Sequence, residues 1–213
     1  MLFSGGLDSA VLVAHAAQSG PVAPIYISVG FAWEAEERAM AERLFASPAY
    51  GGRVARPAYL QFDMRDVFPA AHWAVRGQPP AFDTPDEDVF LDGRNVILLS
   101  KAAVYMARHG MARVLIGPLA GNPFPDATQA FFEAMARALS LGLAGQITIE
   151  APFASMLKSD VIRIGRKLGV PLELTLSCMQ PAGGKHCGRC SKCRERRDAF
   201  REAGVADPTP YRE

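Results

Sequence analysis

The sequence has almost no net charge and no long apolar run. Its 213 residues include 23 lysines and arginines against 22 aspartates and glutamates, a net charge of +1 at pH 7. Such a chain has no broad field to recruit nucleic acid or an anionic membrane, so any anion must bind locally. No apolar stretch approaches the ~20 residues of a membrane-spanning helix, and the start, Met-Leu-Phe-Ser, lacks a basic leader. We therefore expect a soluble, cytoplasmic protein that acts on small or specifically docked substrates.

Cysteine is also scarce, and its four copies fall in one C-terminal segment, at Cys178, Cys187, Cys190 and Cys193. Disulfides are rare in a reducing compartment, so this array favours a metal. Two pairs separated by a Gly-Gly turn can bring four thiolates around one tetrahedral ion at ~2.3 Å, which suits zinc. His186 adjoins the array, but four thiolates already complete the shell. The other histidines, His15, His72 and His109, are isolated and receive no role.

Apolar runs alternate with amphipathic helices along the chain. This rhythm predicts an α/β fold in which a twisted parallel sheet carries helices on both faces and binds ligands at the carboxyl ends of its strands. The expected strands are 24–29, 58–62, 113–117 and 147–150, and the expected helices are 7–18, 35–45, 95–108, 131–141 and 158–168. Before residue 4 the first strand has only about three residues, where ~5–6 are usual. Either the native chain begins upstream of Met1 or the sheet edge is trimmed there.

A glycine turn, Ser4-Gly5-Gly6-Leu7-Asp8-Ser9, joins that first strand to the first helix. Its glycines allow the backbone to approach a phosphate, and the helix amides and both serine hydroxyls can donate to phosphate oxygens. Asp8 suits such a site if it holds Mg²⁺ beside the phosphates. The turn has neither a Walker lysine nor a G-x-G-x-x-G pattern. The alternative is a helix entry capped by serine.

In its place after a first strand, the turn resembles the pyrophosphate loop of the N-type ATP pyrophosphatases. The resemblance implies an adenine nucleotide alpha hydrolase-like (PP-loop) fold. It also implies that the loop grips the β,γ-diphosphate of ATP while a substrate oxygen attacks the α-phosphorus. The ATP-binding residues would be Ser4, Gly5, Gly6, Leu7, Asp8, Ser9 and Lys158.

Further segments are similar to the 7-cyano-7-deazaguanine synthase family within that superfamily. They are the cysteine array with Leu176-Ser-Cys178 before it, Gly93-Arg94-Asn95 at a helix start, and Leu157-Lys158-Ser159-Asp160. The resemblance implies one domain over 1–213 with an integral zinc segment from about 176 to 213. It implies that ATP adenylates the carboxylate of a 7-deazapurine, and that ammonia then gives the amide and finally the nitrile. A homodimer is possible in such a family.

Roles for individual residues follow from the same resemblance. Asp8, through Mg²⁺, and Lys158 would be catalytic, and Arg94, Asn95, Phe124 and Asp126 would bind the substrate. Spacing alone favours non-functional interpretations of these residues, in which Lys158 lies at the surface and Arg94 forms an ion pair with the acidic loop 83–92. The basic run Arg194–Arg197 is interpreted as a solvated helix end.

Two stretches depart from the family pattern. Phe31-Ala-Trp33-Glu34 replaces a Tyr-Gly-Gln-Arg-His-like stretch, and the loop Pro118–Thr128 lacks the Asp-Tyr and Cys-Arg elements that line the family's base pocket. Trp33 and Phe124 either pack or stack on a flat base. One alternative is therefore a paralogue that couples a related carboxylate to another amine, on a protein acceptor. Another, of a different class, is a non-catalytic zinc-containing interaction module.

Overall fold

A computed structural model describes residues 1–212 of the chain. The helices are α1 Leu7–Ala16, α2 Glu34–Phe45, α3 Trp73–Arg76, α4 Arg94–Arg108, α5 Gln129–Gly142, α6 Lys158–Lys167 and α7 Ser191–Ala203. The strands are β1 Ile25–Ser28, β2 Ala58–Gln61, β3 Arg113–Leu115 and β4 Thr148–Glu150. Short 3-10 turns span Pro48–Tyr50, Asp86–Val89, Pro125–Ala127 and Leu172–Leu174.

All strand pairs are parallel. β1 pairs with β2, and β3 pairs with β4. The N-terminal residues join the two pairs, because Leu2 bridges to Ile25 on one side while its amide donates to Leu115 O at 2.9 Å on the other. The order across the molecule is therefore β2, β1, the segment 1–3, β3, β4. That segment lies at the centre, so its shortness is not that of a trimmed edge strand.

The strands present successive side chains to two separate cores, as parallel strands covered on both faces do. One core contains Leu2, Ile25, Ile27 and Val114 together with residues of α4 and α5. The other contains Met1, Phe3, Tyr26 and Leu115 together with residues of α1, α6 and α7. The expected α/β class with parallel strands is confirmed, and it leaves the carboxyl ends of the strands free to form a site.

One expectation about the C-terminal segment is wrong. Arg194–Arg197 is not a solvated helix end but lies inside α7, and Arg196 is only 1% exposed. Its Nε donates to Thr209 Oγ1 at 2.6 Å, and Nη2 donates to Leu172 O at 2.7 Å. Cys193, Arg196, Ala199 and Phe200 form the buried stripe of α7, with arginine occupying a position that helical spacing assigns to the core.

Two further findings complete the fold. The short helix α3 falls in a stretch where the sequence predicts no helix. Among residues 1–212, no helix is long and apolar enough to cross a membrane.

Candidate active site and cysteine cluster

Two adjoining cavities open at the carboxyl ends of the strands. The first cavity, of about 320 Å³, extends towards Trp33, Trp73, Lys158 and Glu195. The second, of about 230 Å³, extends towards Tyr26, Ile27, Asn95, Leu98 and Ile116. They share a wall formed by Ser4, Gly6, Asp8, Glu37, Arg94, Gly117, Pro118, Asn122 and Phe124. The glycine turn thus lies at the junction of two spaces, each large enough for part of a substrate.

The glycine turn folds back on itself through its serines. Ser4 Oγ lies 3.2 Å from Ser9 Oγ, which donates to Gly6 O at 3.0 Å. Gly5 has φ +74°, a conformation that glycine adopts without strain. Gly6 is the N-cap of α1, and no side chain of residues 1–212 caps this helix. The alternative of a serine-capped helix entry is therefore wrong, and the first amides of α1 are open to a ligand.

Asp8, Lys158 and Glu195 form a charged cluster beside that turn. Lys158 Nζ lies 3.4 Å from Asp8 Oδ2 and bonds Glu195. Burial lowers the pKa of Lys158, but attraction to the two carboxylates outweighs it and leaves the pKa raised. The side chain is only 17% exposed, so the surface interpretation of Lys158 is wrong.

The carboxyl group of Asp8 is only half satisfied. Burial raises its pKa, in spite of the Lys158 ammonium. Its Oδ1 is buried and has no hydrogen-bond partner among residues 1–212. A buried oxygen of this kind, at a phosphate-type turn, fits a bound divalent cation.

The four residues expected to bind substrate divide into two kinds. Arg94 and Phe124 line both cavities, and Asn95 lines the second. Asp126 lines neither, because its Oδ2 accepts from Asn95 N at 3.0 Å and its backbone oxygen accepts from Asn95 Nδ2 at 3.0 Å. Asp126 therefore holds the start of α4 in place. Arg94 is not paired with the acidic loop; it faces the wall shared with Glu37.

Glu37 and Trp73, which no motif marked, complete the site together with Trp33. The rings of Trp33 and Trp73 stack at 5.7 Å and 14° and line the first cavity. Glu37 is 7% exposed, and its Oε2 accepts from Tyr26 Oη at 2.9 Å. Burial raises the pKa of Glu37 to about 8, although Arg94, Tyr26 and the Trp33 side chain each lower it.

The four cysteines converge as the sequence predicts. All four sulfur atoms lie within 4.8 Å of one another and are buried. Cys187 Sγ and Cys193 Sγ are 3.9 Å apart, and Cys190 Sγ and Cys193 Sγ are 3.5 Å apart. Tetrahedral coordination at ~2.3 Å separates sulfurs by ~3.8 Å, so the cluster fits one zinc-sized ion. Cys178 Sγ also accepts from Cys187 N at 3.1 Å, a bond that favours a thiolate.

His186 stays outside the cluster, as expected, because its Nε2 accepts from Ser177 N at 3.1 Å. The cluster segment also contacts the glycine turn directly. Leu176 N donates to Gly5 O at 2.8 Å, and Cys178 lines the first cavity. One continuous strip of backbone thus links the metal-compatible cluster to the site.

The comparison with known families decides the identity. A family model described as "Queuosine biosynthesis protein QueC" matches residues 1–204. The chain belongs to the QueC family. The resemblance inferred from the glycine turn, the Arg94 and Lys158 segments and the cysteine array is thereby confirmed.

Curated QueC-family relatives cover nearly the whole chain. A protein of Anaeromyxobacter dehalogenans is 36% identical over 99% of this chain and 94% of its own length. A protein from Azoarcus is 35% identical over 99% of this chain and 95% of its own length. A protein from Methanopyrus kandleri is 29% identical over 100% of this chain and 98% of its own length. Each is named 7-cyano-7-deazaguanine synthase. As a member of this family, the chain is an ATP-dependent enzyme.

What sequence reasoning missed in this QueC-family site has a common cause. Glu37 lies in the run Glu34-Ala-Glu-Glu37-Arg, which is typical of a solvated helix face. Trp73 lies in a stretch where the sequence shows no motif and predicts no helix. Only the fold shows that α2 stands against the glycine turn and that α3 faces Trp33. The single sequence signal was the presence of Trp33 in a stretch that departs from the family pattern.

Proposed function

We propose that the chain uses ATP to adenylate the carboxylate of a 7-deazapurine and then replaces the adenylate with ammonia. The main support for this proposal is the wall that the two cavities share. The glycine turn, Arg94 and Asp8, one of whose carboxylate oxygens has no hydrogen-bond partner among residues 1–212, meet there. The names of the relatives support the deazapurine as acceptor. The chain would act as one domain, with residues from about 176 onward forming its metal-bearing segment.

The nucleotide side of the site is a pyrophosphate loop in this proposal. The amides that begin α1, with the hydroxyls of Ser4 and Ser9, would hold the β,γ-diphosphate. Lys158 would neutralise charge at the leaving pyrophosphate. Asp8 Oδ1 would hold Mg²⁺, which would supply further neutralisation of phosphate charge. Zn²⁺ bound by the four cysteines would stabilise the fold, because a shell of four thiolates leaves no open position for catalysis.

The acceptor side lies along the first cavity. The Arg94 guanidinium matches a carboxylate, and the Trp33 and Trp73 rings and Phe124 offer flat surfaces for a planar base. Asn122, which also lines both cavities, supplies amide groups for the base edge. The sequence 118–128 would thereby set which deazapurine is accepted.

The reaction then proceeds in two rounds. A carboxylate oxygen of the acceptor attacks the α-phosphorus and pyrophosphate leaves. Ammonia attacks the acyl carbon, AMP leaves with the bonding electrons, and a proton is lost to give the amide. In the second round the amide oxygen attacks the α-phosphorus of a second ATP and pyrophosphate leaves. Loss of AMP with its bonding electrons, and of two protons from nitrogen, then gives the nitrile. The protein contributes positioning and charge neutralisation, with no covalent intermediate on a side chain.

The comparisons bear differently on the alternative functions that the sequence left open. A non-catalytic zinc module does not fit membership of an enzyme family. The paralogue that uses another amine remains distinguishable only by its product. Neither a protein acceptor nor a homodimer is supported by the relatives' names.

The test is turnover of 7-carboxy-7-deazaguanine with ATP, Mg²⁺ and ammonium. We expect AMP and pyrophosphate together with the amide and the nitrile, identified by mass spectrometry. Release of ADP and phosphate without AMP would contradict cleavage between the α- and β-phosphates. AMP release with an unmodified acceptor would contradict the ligase assignment.

A further inference from the structure

Glu37 occupies a place in the site that the mechanism above leaves unused. Among residues 1–212, Asp8 and Glu37 are the two carboxyl groups that line both cavities. α2 stands directly against the glycine turn: a Cβ on Gly5 would lie 3.4 Å from Glu37 O and 3.6 Å from Glu37 Cβ. The Glu37 side chain is therefore at the junction where phosphate, acceptor and incoming nucleophile meet.

The other acidic side chains that line the first cavity each have a lysine partner. Asp8 pairs with Lys158, and Glu195 bonds both Lys158 and Lys192. Asp86 Oδ1 lies 3.5 Å from Lys192 Nζ. Glu37 has no lysine partner among the described ion pairs; it accepts a hydrogen bond from Tyr26 at Oε2, and the Trp33 side chain also donates to it.

The groups around Glu37 come from several elements of the fold. Tyr26 on β1 donates to it, Arg94 on α4 attracts it, Glu34 on its own helix repels it, and Trp33 precedes that helix. Asp8 and Lys158 face it across the shared wall and the first cavity. With a pKa of about 8, raised by burial, the carboxyl group exchanges protons readily near neutral pH. That property matches the needs of an amine nucleophile, which is protonated at neutral pH and must lose a proton to react.

We propose that Glu37 is the base that removes a proton from ammonium next to the acyl-adenylate, an inference that rests on the proposed function. The Glu37 carboxylate takes one proton from ammonium. The freed lone pair of nitrogen forms the C–N bond at the acyl carbon, and the bond from that carbon to the adenylate oxygen breaks. AMP leaves with the electron pair, and the surplus proton on nitrogen passes to solvent.

The experiment separates adenylation from aminolysis in Glu37→Gln, which keeps the size and hydrogen bonding of the side chain but cannot take the proton. Adenylation is measured as 7-carboxy-7-deazaguanine-dependent exchange of labelled pyrophosphate into ATP. Aminolysis is measured with ammonium and, separately, with hydroxylamine, which is largely unprotonated at neutral pH. Glu42→Gln, an exposed position on the same helix, is the matched control.

We expect Glu37→Gln to retain exchange within about threefold and to lose about a hundredfold in ammonium-dependent amide formation, the scale of one acid–base group. Hydroxylamine should recover most of that loss, and Glu42→Gln should match the wild type throughout. Ammonium turnover at the wild-type rate would overturn the proposal. An equal loss of exchange, or an equal loss with both nucleophiles, would overturn it too, since Glu37 would then serve adenylation or the fold. Absence of exchange in the wild type would instead refute the proposed function itself.

Discussion

Lys158 Nζ lies 3.4 Å from Asp8 Oδ2, and this contact joins the first turn of α6 to the first turn of α1. Helix N-termini disfavour cations, so the helix itself does not explain a lysine at the start of α6. The pair fits the proposed phosphate site, where the lysine would neutralise charge on the ligand and the aspartate would hold its metal.

The first prediction concerns Asp8→Asn. We expect loss of at least about a hundredfold in Mg²⁺-dependent pyrophosphate release, because a neutral amide oxygen binds magnesium much more weakly than a carboxylate does. Stability should be unchanged or higher, since burial raises the pKa of Asp8 and its ionised form is costly. Pyrophosphate release and thermal unfolding check the two halves. Asp66→Asn, at an exposed position, serves as the control; retained activity in the site variant would argue against metal binding there.

The second prediction concerns the cysteine cluster. Cys190→Ser should abolish stoichiometric zinc and destabilise the C-terminal segment, because structural zinc contributes about 10–16 kcal/mol to the folding of isolated metal modules. Elemental composition and limited proteolysis of residues near 176–212 are the measurements. Iron and sulfide in place of zinc in the purified wild type would overturn the zinc assignment.

The third prediction is a pH dependence of stability due to Glu37. Its folded pKa of about 8 lies above the ordinary value of 4.5, so the folded state binds more protons than the unfolded state between these values. Its contribution is fully present below about pH 4.5 and is lost as pH rises to about 8, by up to about 5 kcal/mol. Glu37→Gln should remove this loss of stability at higher pH, because the amide does not ionise. Urea unfolding at pH 5 and pH 8 should show the variant gaining on the wild type at the higher pH; a difference independent of pH would contradict the raised pKa.

The fourth prediction concerns Arg196, whose guanidinium bonds Thr209, Thr175, Ser177 and Leu172 O. Arg196→Met should cost about 3–5 kcal/mol, the scale for breaking a buried charged network. Arg196→Lys keeps the positive charge but loses the several N–H donors of the guanidinium, so it should recover only part of the lost stability. Denaturant unfolding of both variants provides the test, and a loss below about 1 kcal/mol in the methionine variant would show the network to be dispensable.

The fifth prediction concerns the tryptophan pair. Trp73→Ala should raise the KM for the acceptor about tenfold and leave the KM for ATP nearly unchanged, because stacking on an aromatic side chain is worth about 1–3 kcal/mol per base. Trp73→Phe should recover much of the affinity. Steady-state kinetics with each substrate varied in turn distinguishes this role from general damage to the site, which would raise both constants.

The sequence was most informative where backbone chemistry demands particular residues. The glycine turn and the cysteine spacing are local patterns, and both could be assigned a chemistry before any fold was known. Period and length likewise predicted β1 and α4 to within a residue or two. Glu37, Trp73 and Arg196 could not be predicted, because their burial depends on which distant elements meet. A glutamate in an acidic helical run and an arginine in a basic one look solvated until α2 and α7 are placed.

The 2.8 Å bond from Leu176 N to Gly5 O ties the cysteine segment to the glycine turn, where we propose that the nucleotide binds. Any ligand that orders the glycine turn also orders the stretch leading to Cys178, and thermodynamic linkage makes the effect mutual. ATP should therefore slow the extraction of the metal by a chelator. Conversely, protein stripped of its ion should bind ATP more weakly although none of its phosphate-binding residues has changed. Cellular zinc supply would then set not only how much enzyme survives but how well each molecule binds nucleotide.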